Sequence, residues 1–326
     1  FRRVLFRSAV HNRSGELQYL MMDIQHSMLD ILDIYLVKNG RLQRVWNTGV
    51  DRGVTAKPYP SKAFTLPLTL DVGEGYAIYM HAQSDSFMQF PVTLQDIRFY
   101  ANQQAVGKLQ MGLVSGAFIL VGLYALLMYA FIRERRFIYY ALFALSLVAT
   151  TWILKGYATL YEVIPDWLDE LRLLLTTGNM LLMGLILSSL DMFRIWLPPR
   201  LRRTCRLILM VVAAVILAVW LLPLVWSVYI TFGSYLLVTL LAASFCIYFL
   251  RRGTWLQRLY CYSWFGFMLG AVCAFANRFA WITSEWVGDS LLSLFSTMAA
   301  LLLTFSLAYR TYQEKKGRIR AKRQAT

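Results

Sequence analysis

Apolar and polar residues alternate through much of the first hundred positions, and then apolar residues merge into long unbroken runs. Leu32, Ile34 and Leu36 stand at every second position with Asp33 and Tyr35 between them, and Asn39-Gly40 leads on into residues 41–47. Strand side chains point alternately to opposite faces, so this spacing predicts a half-buried strand. Asn-Gly between two such runs predicts a tight hairpin. Phe64, Leu66, Leu68 and Leu70 alternate with Thr65, Pro67 and Thr69. Gly73-Glu74-Gly75 breaks the chain before residues 76–82, and Met88, Phe90, Val92 and Leu94 alternate again. Proline cannot donate to a sheet ladder, so Pro67 and Pro91 predict edge strands or bulges. Short strands at this spacing predict an all-β, jelly-roll-like sandwich domain over residues 1–108.

The remainder reads as helices in lipid. A helix needs about 20 residues to cross a hydrocarbon core about 30 Å thick. Seven apolar segments approach that length: residues 113–132, 137–154, 171–192, 207–222, 228–250, 259–281 and 291–309. Backbone groups in lipid must pair within their own segment, so these are predicted as a seven-transmembrane helix bundle over 109–310, with a basic tail over 311–326. Arg133, Arg135 and Arg136 follow the first span, Arg194, Arg200, Arg202, Arg203 and Arg206 the third, Arg251, Arg252 and Arg258 the fifth, and seven Lys or Arg residues the last. The intervening loops are acidic or neutral, as with Glu162, Asp166, Asp169 and Glu170 after the second span. The positive-inside rule then puts the C-terminus in the cytoplasm and the sandwich outside, on opposite sides as an odd span count requires.

Composition agrees: 58% of the 326 residues are hydrophobic, 16% are charged, and the apolar excess lies beyond residue 108. The net charge of +15 sits beside apolar spans without any nucleic-acid-binding motif, so nucleic acid is not expected as a partner. The four cysteines, Cys205, Cys246, Cys261 and Cys273, lie outside the sandwich and form no CxxC pair, so they read as buried apolar side chains. No initiator Met or signal-peptide core precedes a domain that must be exported. The natural chain is therefore expected to begin upstream, which leaves Phe1 to Ser8 unassigned to native sequence.

The run Leu32-Asp33-Ile34-Tyr35-Leu36-Val37 before Asn39-Gly40-Arg41-Leu42 resembles the type 2 extracellular sensor domain of bacterial seven-transmembrane receptors with diverse intracellular signalling modules. Phe64-Thr65-Leu66-Pro67-Leu68 and Gly73-Glu74-Gly75-Tyr76-Ala77-Ile78-Tyr79 are similar to that domain too. The helical part is similar to that family's bundle, with Gly112, Gly116 and Gly122 in span one, Arg133 to Tyr140 entering span two, and Gly156-Tyr157 with Ile164-Pro165 before span three. The resemblance implies a carbohydrate-binding-like jelly roll in the periplasm of a bacterial inner-membrane protein. It implies that the bundle passes a signal to a diguanylate cyclase, histidine kinase or similar output module. No such module, nucleotide-binding loop or cytoplasmic histidine occurs in residues 310–326, so the effector is expected in cis beyond this sequence or in trans.

Candidate ligand-binding residues are the strand aromatics Tyr35, Trp46, Tyr76 and Tyr79, with Tyr59 nearby; such rings stack on sugars. Tyr76 and Tyr79 should face opposite ways, so the set cannot form a single site. Polar residues in lipid are costly, which singles out Asn179, Asp191, Asn277 and Arg278. Asp191 and Arg278 lie near span ends, where interfacial water explains them, and Asn179 suits an interhelical hydrogen bond. His11, His26 and His81 match no ligand spacing, so neither a metal nor a cofactor is expected. Gly112 and Gly116 suit close helix packing, and a homodimer is among the expected partners, with a small extracytoplasmic ligand or glycan, membrane lipids and the effector. The leading expectation is a signalling receptor without enzymatic activity of its own. A transporter and a sensor subunit docking a periplasmic protein are the alternatives. Span seven has no lysine for a retinal Schiff base, and the spans hold no GxSxG, HExxH or paired catalytic aspartates.

Overall fold

The computed structural model describes residues 2–24, 29–49, 52, 58–59, 61–84, 91–165, 167–193 and 197–278, with isolated helical residues between 294 and 312. Two compact units divide the chain: residues 1–116 with 147–177, and 117–146 with 178–326.

In the first unit, β1 (Arg2–His11), β2 (Gln18–Ile24), β3 (Ile31–Lys38), β4 (Arg41–Thr48), β5 (Phe64–Leu70), β6 (Gly75–Ser84) and β7 (Val92–Asp96) form two antiparallel sheets. Their orders are β1-β6-β3-β4 and β5-β2-β7. The hairpin signal is realised: Asn39 and Gly40 have φ of 50° and 75°, and Lys38 pairs with Arg41 across the turn. Two left-handed central residues match the twist of the flanking strands. Pro67 sits in edge strand β5, as expected of a residue with no N–H to donate. Met88 and Phe90 lie outside the described residues. One strand was not expected: β1 includes part of the Phe1–Ser8 run, yet pairs with β6 from Arg2↔Ser84 to His11↔Gly75.

The alternation sets the core. Met22 and Ile24, Leu32, Ile34 and Leu36, Phe64, Leu66 and Leu68, and Ile78, Met80 and Ala82 form one buried cluster between the sheets. Each large aliphatic or aromatic side chain fully buried there contributes roughly 1.5–3 kcal/mol.

Asp23 and Thr65 form a cross-strand pair on the opposite face of β2 and β5. The Thr65 hydroxyl donates to Asp23 Oδ1 at 2.8 Å. Its oxygen then accepts from the Tyr100 hydroxyl, 3.0 Å away in the first helix of the chain. Ser61 Oγ also lies 2.8 Å from Thr65 Oγ1. Burial pushes the Asp23 carboxyl above its ordinary 3.8, against the lowering effects of the Thr65 bond and Lys62. The folded chain thus holds this proton more tightly than the unfolded one. Asp23 contributes stability below its unfolded pKa and loses it as pH rises through the folded pKa. Asp23→Asn should remove this decline. Melting temperatures across pH for both proteins in nanodiscs check it; parallel profiles would reject the assignment.

The helices are α1 (Ile97–Ile132), α2 (Arg135–Leu154), the single turn α3 (Tyr157–Leu160), α4 (Glu170–Met192), α5 (Pro199–Leu221), α6 (Leu224–Arg252) and α7 (Trp255–Arg278). Five of them, α1, α2, α4, α5 and α6, are long and apolar enough to cross a membrane. Helix α7 covers most of the sixth predicted span, and the described residues of the seventh are helical. Helix α1 begins well before its predicted span. Asp96 caps it, with Oδ1 accepting from the Arg98 and Phe99 amides at 2.8 and 3.4 Å. Helix α5 is longer than the predicted 207–222; Pro199 opens it, where a missing N–H leaves nothing unpaired.

In the first unit Trp152 Nε1 donates to Ser115 Oγ at 2.7 Å, joining α2 to α1. In the second, α2 and α4 approach so closely that a Cβ on Gly184 would lie 2.8 Å from Phe143 N. Phe193, just past α4, stacks on Phe249 of α6 at 4.2 Å between centroids and meets Tyr260 of α7 edge-on at 5.2 Å. Ser189 adds polar ties from α4 to α7, lying 3.0 Å from the Tyr260 hydroxyl and accepting from Trp264 Nε1 at 3.1 Å.

Candidate functional site: the solvent face of the four-stranded sheet

With Leu32, Ile34 and Leu36 committed to the core, β3 presents Asp33 and Tyr35 on the other side of its sheet. β6 does the same with Tyr79 and His81, because Ile78, Met80 and Ala82 point inward. The register then sets Tyr35 directly opposite Tyr79, and Asp33 opposite His81. Arg7 of β1 pairs with Tyr79, and its guanidinium carbon lies 5.6 Å from the ring centroid. His81 Nδ1 is 3.3 Å from Asp33 Oδ2, and Arg52 Nη1 donates to Asp33 Oδ1. Arg52 also reaches the Thr48 carbonyl at 3.5 Å. The side chain of Asp33 is 14% exposed, so it is reachable yet held by two basic partners. Tyr35 is 37% exposed.

Two phenol rings on adjacent strands, beside a carboxylate, an imidazole and guanidinium groups, offer flat apolar area with hydrogen-bonding groups at its margin. That combination suits a ligand with both C–H faces and hydroxyls. Asp33 and His81 would give a cation two donors, and no group of three His, Cys, Asp or Glu residues stands together among the described residues.

Of the four strand aromatics, the sheet brings Tyr35 and Tyr79 together. Trp46 and Tyr76 are elsewhere: both pack against the inter-sheet core, because they share strand parity with Ile34 and Ile78. Tyr59 is in edge-to-face contact with Tyr100, 6.3 Å between centroids. Sequence reading missed Arg7, Asp33, Arg52 and His81 as neighbours. Asp33 and His81 are 48 positions apart, and only the β3–β6 register joins them. The signal available was the parity of Asp33 with Tyr35 and of Tyr79 with His81. His26 lies outside the described residues, and His11 ends β1 opposite Gly75.

In the bundle, Asn179 of α4 is fully buried. Ser234 of α6 donates to its Oδ1 at 2.8 Å, and its Nδ2 lies 3.5 Å from Thr231 Oγ1. Asp191 is half-buried in the last turn of α4. Asn277 and Arg278 end α7, and their side chains lie outside the described residues. Cys205, Cys246 and Cys261 are buried thiols.

Two family models match the chain. One, described as 7TM diverse intracellular signalling, matches residues 108–310, more than half of the sequence. The other, described as 7TMR-DISM extracellular 2, matches residues 6–96. The chain belongs to the 7TMR-DISM receptor family. It is a transmembrane receptor with an extracellular β-sandwich domain followed by the family's seven-helix region. No curated protein and no solved structure matches the chain. As a 7TMR-DISM receptor it keeps the Tyr35–Tyr79 face on the extracellular side of the membrane.

Proposed function

We propose that this 7TMR-DISM receptor binds a small extracytoplasmic ligand, a glycan, on the Tyr35–Tyr79 face and signals to a cytoplasmic output module supplied in cis or trans. The receptor has no enzymatic role of its own. It sits in the bacterial inner membrane with its C-terminus in the cytoplasm, in line with the basic loops that alternate along the helices. The observation behind the ligand class is the cross-strand tyrosine pair, flanked by Asp33 and His81 on the solvent side of the sheet. A ligand shifts such a receptor only by binding one arrangement better than another.

The test is a screen of soluble glycans against the whole chain in nanodiscs, read by thermal shift. A dose-dependent rise is expected, and Tyr35→Ala or Tyr79→Ala should weaken it about tenfold, or ~1.4 kcal/mol. Trp46→Ala should leave affinity within about twofold of the native value after correction for its own stability loss, because that ring faces the core. No shift with any glycan from a folded receptor would reject the ligand class.

A further inference from the structure

Helix α1 has 36 residues. A bilayer takes about 20 of them. Arg133 bounds the helix at one end, so the span runs over 113–132, and residues 97–112 stand clear of the hydrocarbon. Their polar members, Arg98, Asn102, Gln103, Gln104, Lys108 and Gln110, suit water. Tyr100, Met111 and Ser115 are buried, and Gln104 and Gly107 are half-buried, which defines the face turned toward their own unit.

The opposite face is apolar and uncovered. Phe99 is 61% exposed, Val106 54%, Leu109 65% and Leu113 67%. With Asn102 and Gly116 these residues recur at alternating steps of three and four, the a and d positions of two and a half heptads. Lipid covers such a stripe inside the membrane, but Phe99, Val106 and Leu109 lie above it. A Cβ built on Gly112 or Gly116 would meet nothing within 4 Å, so the stripe ends at the membrane surface in an open notch of small-residue spacing.

We propose that this stripe is a homodimer seam: α1 pairs in parallel with α1 of a second copy. Three features select a second copy over another occupant. Two copies in one membrane share a direction, so identical a and d positions meet in register about a two-fold axis. The flanking e and g positions, Gln103, Ala105, Gln110 and Gly112, are uncharged, so identical chains meet no like-charge repulsion. Asn102 falls at a d position and so faces its own copy, where two amides can pair with each other and an apolar partner would leave them unpaired.

The test uses the whole chain in membranes. Single cysteines replace Val106 or Leu109 on the seam, or Ala101 or Lys108 off it, and copper phenanthroline oxidises facing thiols to disulfides. The native protein, with its own four cysteines, sets the background. V106C and L109C should give at least fivefold more covalent dimer than A101C and K108C. The unmodified protein should run as a dimer in nanodiscs by mass photometry, and V106K with L109K should convert it to a monomer that keeps the native circular-dichroism spectrum. Equal cross-linking at all four positions, none above background, or a monomeric native protein would each overturn the seam.

Discussion

Gly49→Ala is expected to unfold the extracellular sandwich. Gly49 has φ of +137° and closes β4. A Cβ there would sit 2.2 Å from the Asp30 carbonyl oxygen and 2.9 Å from Ile31 Cα, both backbone atoms. Neither can rotate away, because Ile31 begins β3 and Leu32 already pairs with Thr48. An L-residue is strained at this φ even without the clash. Together these should cost more than ~3 kcal/mol, a large share of the ~5–15 kcal/mol that holds a typical domain folded. Hydrogen exchange of the whole receptor should show protection lost across β3, β4 and β6 while α4 and α6 keep theirs. Gly40→Asn is the control: φ is +75°, a Cβ there meets nothing within 4 Å, and asparagine tolerates the left-handed region. Equal protection in G49A and G40N would sink the argument.

In the bundle the largest effect is expected from Gly184→Leu. Its Cβ would lie 2.8 Å from Phe143 N and 3.0 Å from Phe143 Cα, so α2 and α4 have to separate. Membrane helices associate largely through close packing and a few polar bonds, and separation forfeits both. A loss of about 2–4 kcal/mol is expected, read as a lower midpoint in denaturing detergent. Gly233→Ala on α6 meets nothing within 4 Å and should hold the native midpoint. A shared midpoint for the two variants would show that the α2–α4 approach is not tight.

The parts legible in the sequence were those dictated by local pattern. Leu32, Ile34 and Leu36 announce their strand because one face is dry, and Asn39-Gly40 announces its turn because both residues tolerate positive φ. The membrane helices were legible because lipid demands apolar side chains over a fixed length. β1 was hidden: Arg2, Arg3 and Arg7 mask any alternation, and ten paired positions on β6 hold the strand rather than its own propensity. The early start of α1 was within reach, since Asp96 is a capping residue, but the polar residues after it lack the unbroken apolar run that marks a span. The candidate ligand face was half legible. Tyr35 and Tyr79 could be named, but their apposition, the inward turn of Trp46 and Tyr76, and the Asp33–His81 pair all depend on a register between distant strands.

The margins of the two sheets bear on which partners this receptor can accept. An exported β domain is exposed to strand addition by any extended peptide, since its outermost strands offer unpaired amides and carbonyls. Each margin here has a deterrent. β1 carries Arg7, and β4 carries Arg41 and Arg44. β5 carries Pro67, and β7 is only five residues long. A peptide extending either sheet would meet cationic crowding, a missing donor or too few rungs. Recruitment by β-augmentation is thereby discouraged at all four margins of the sandwich.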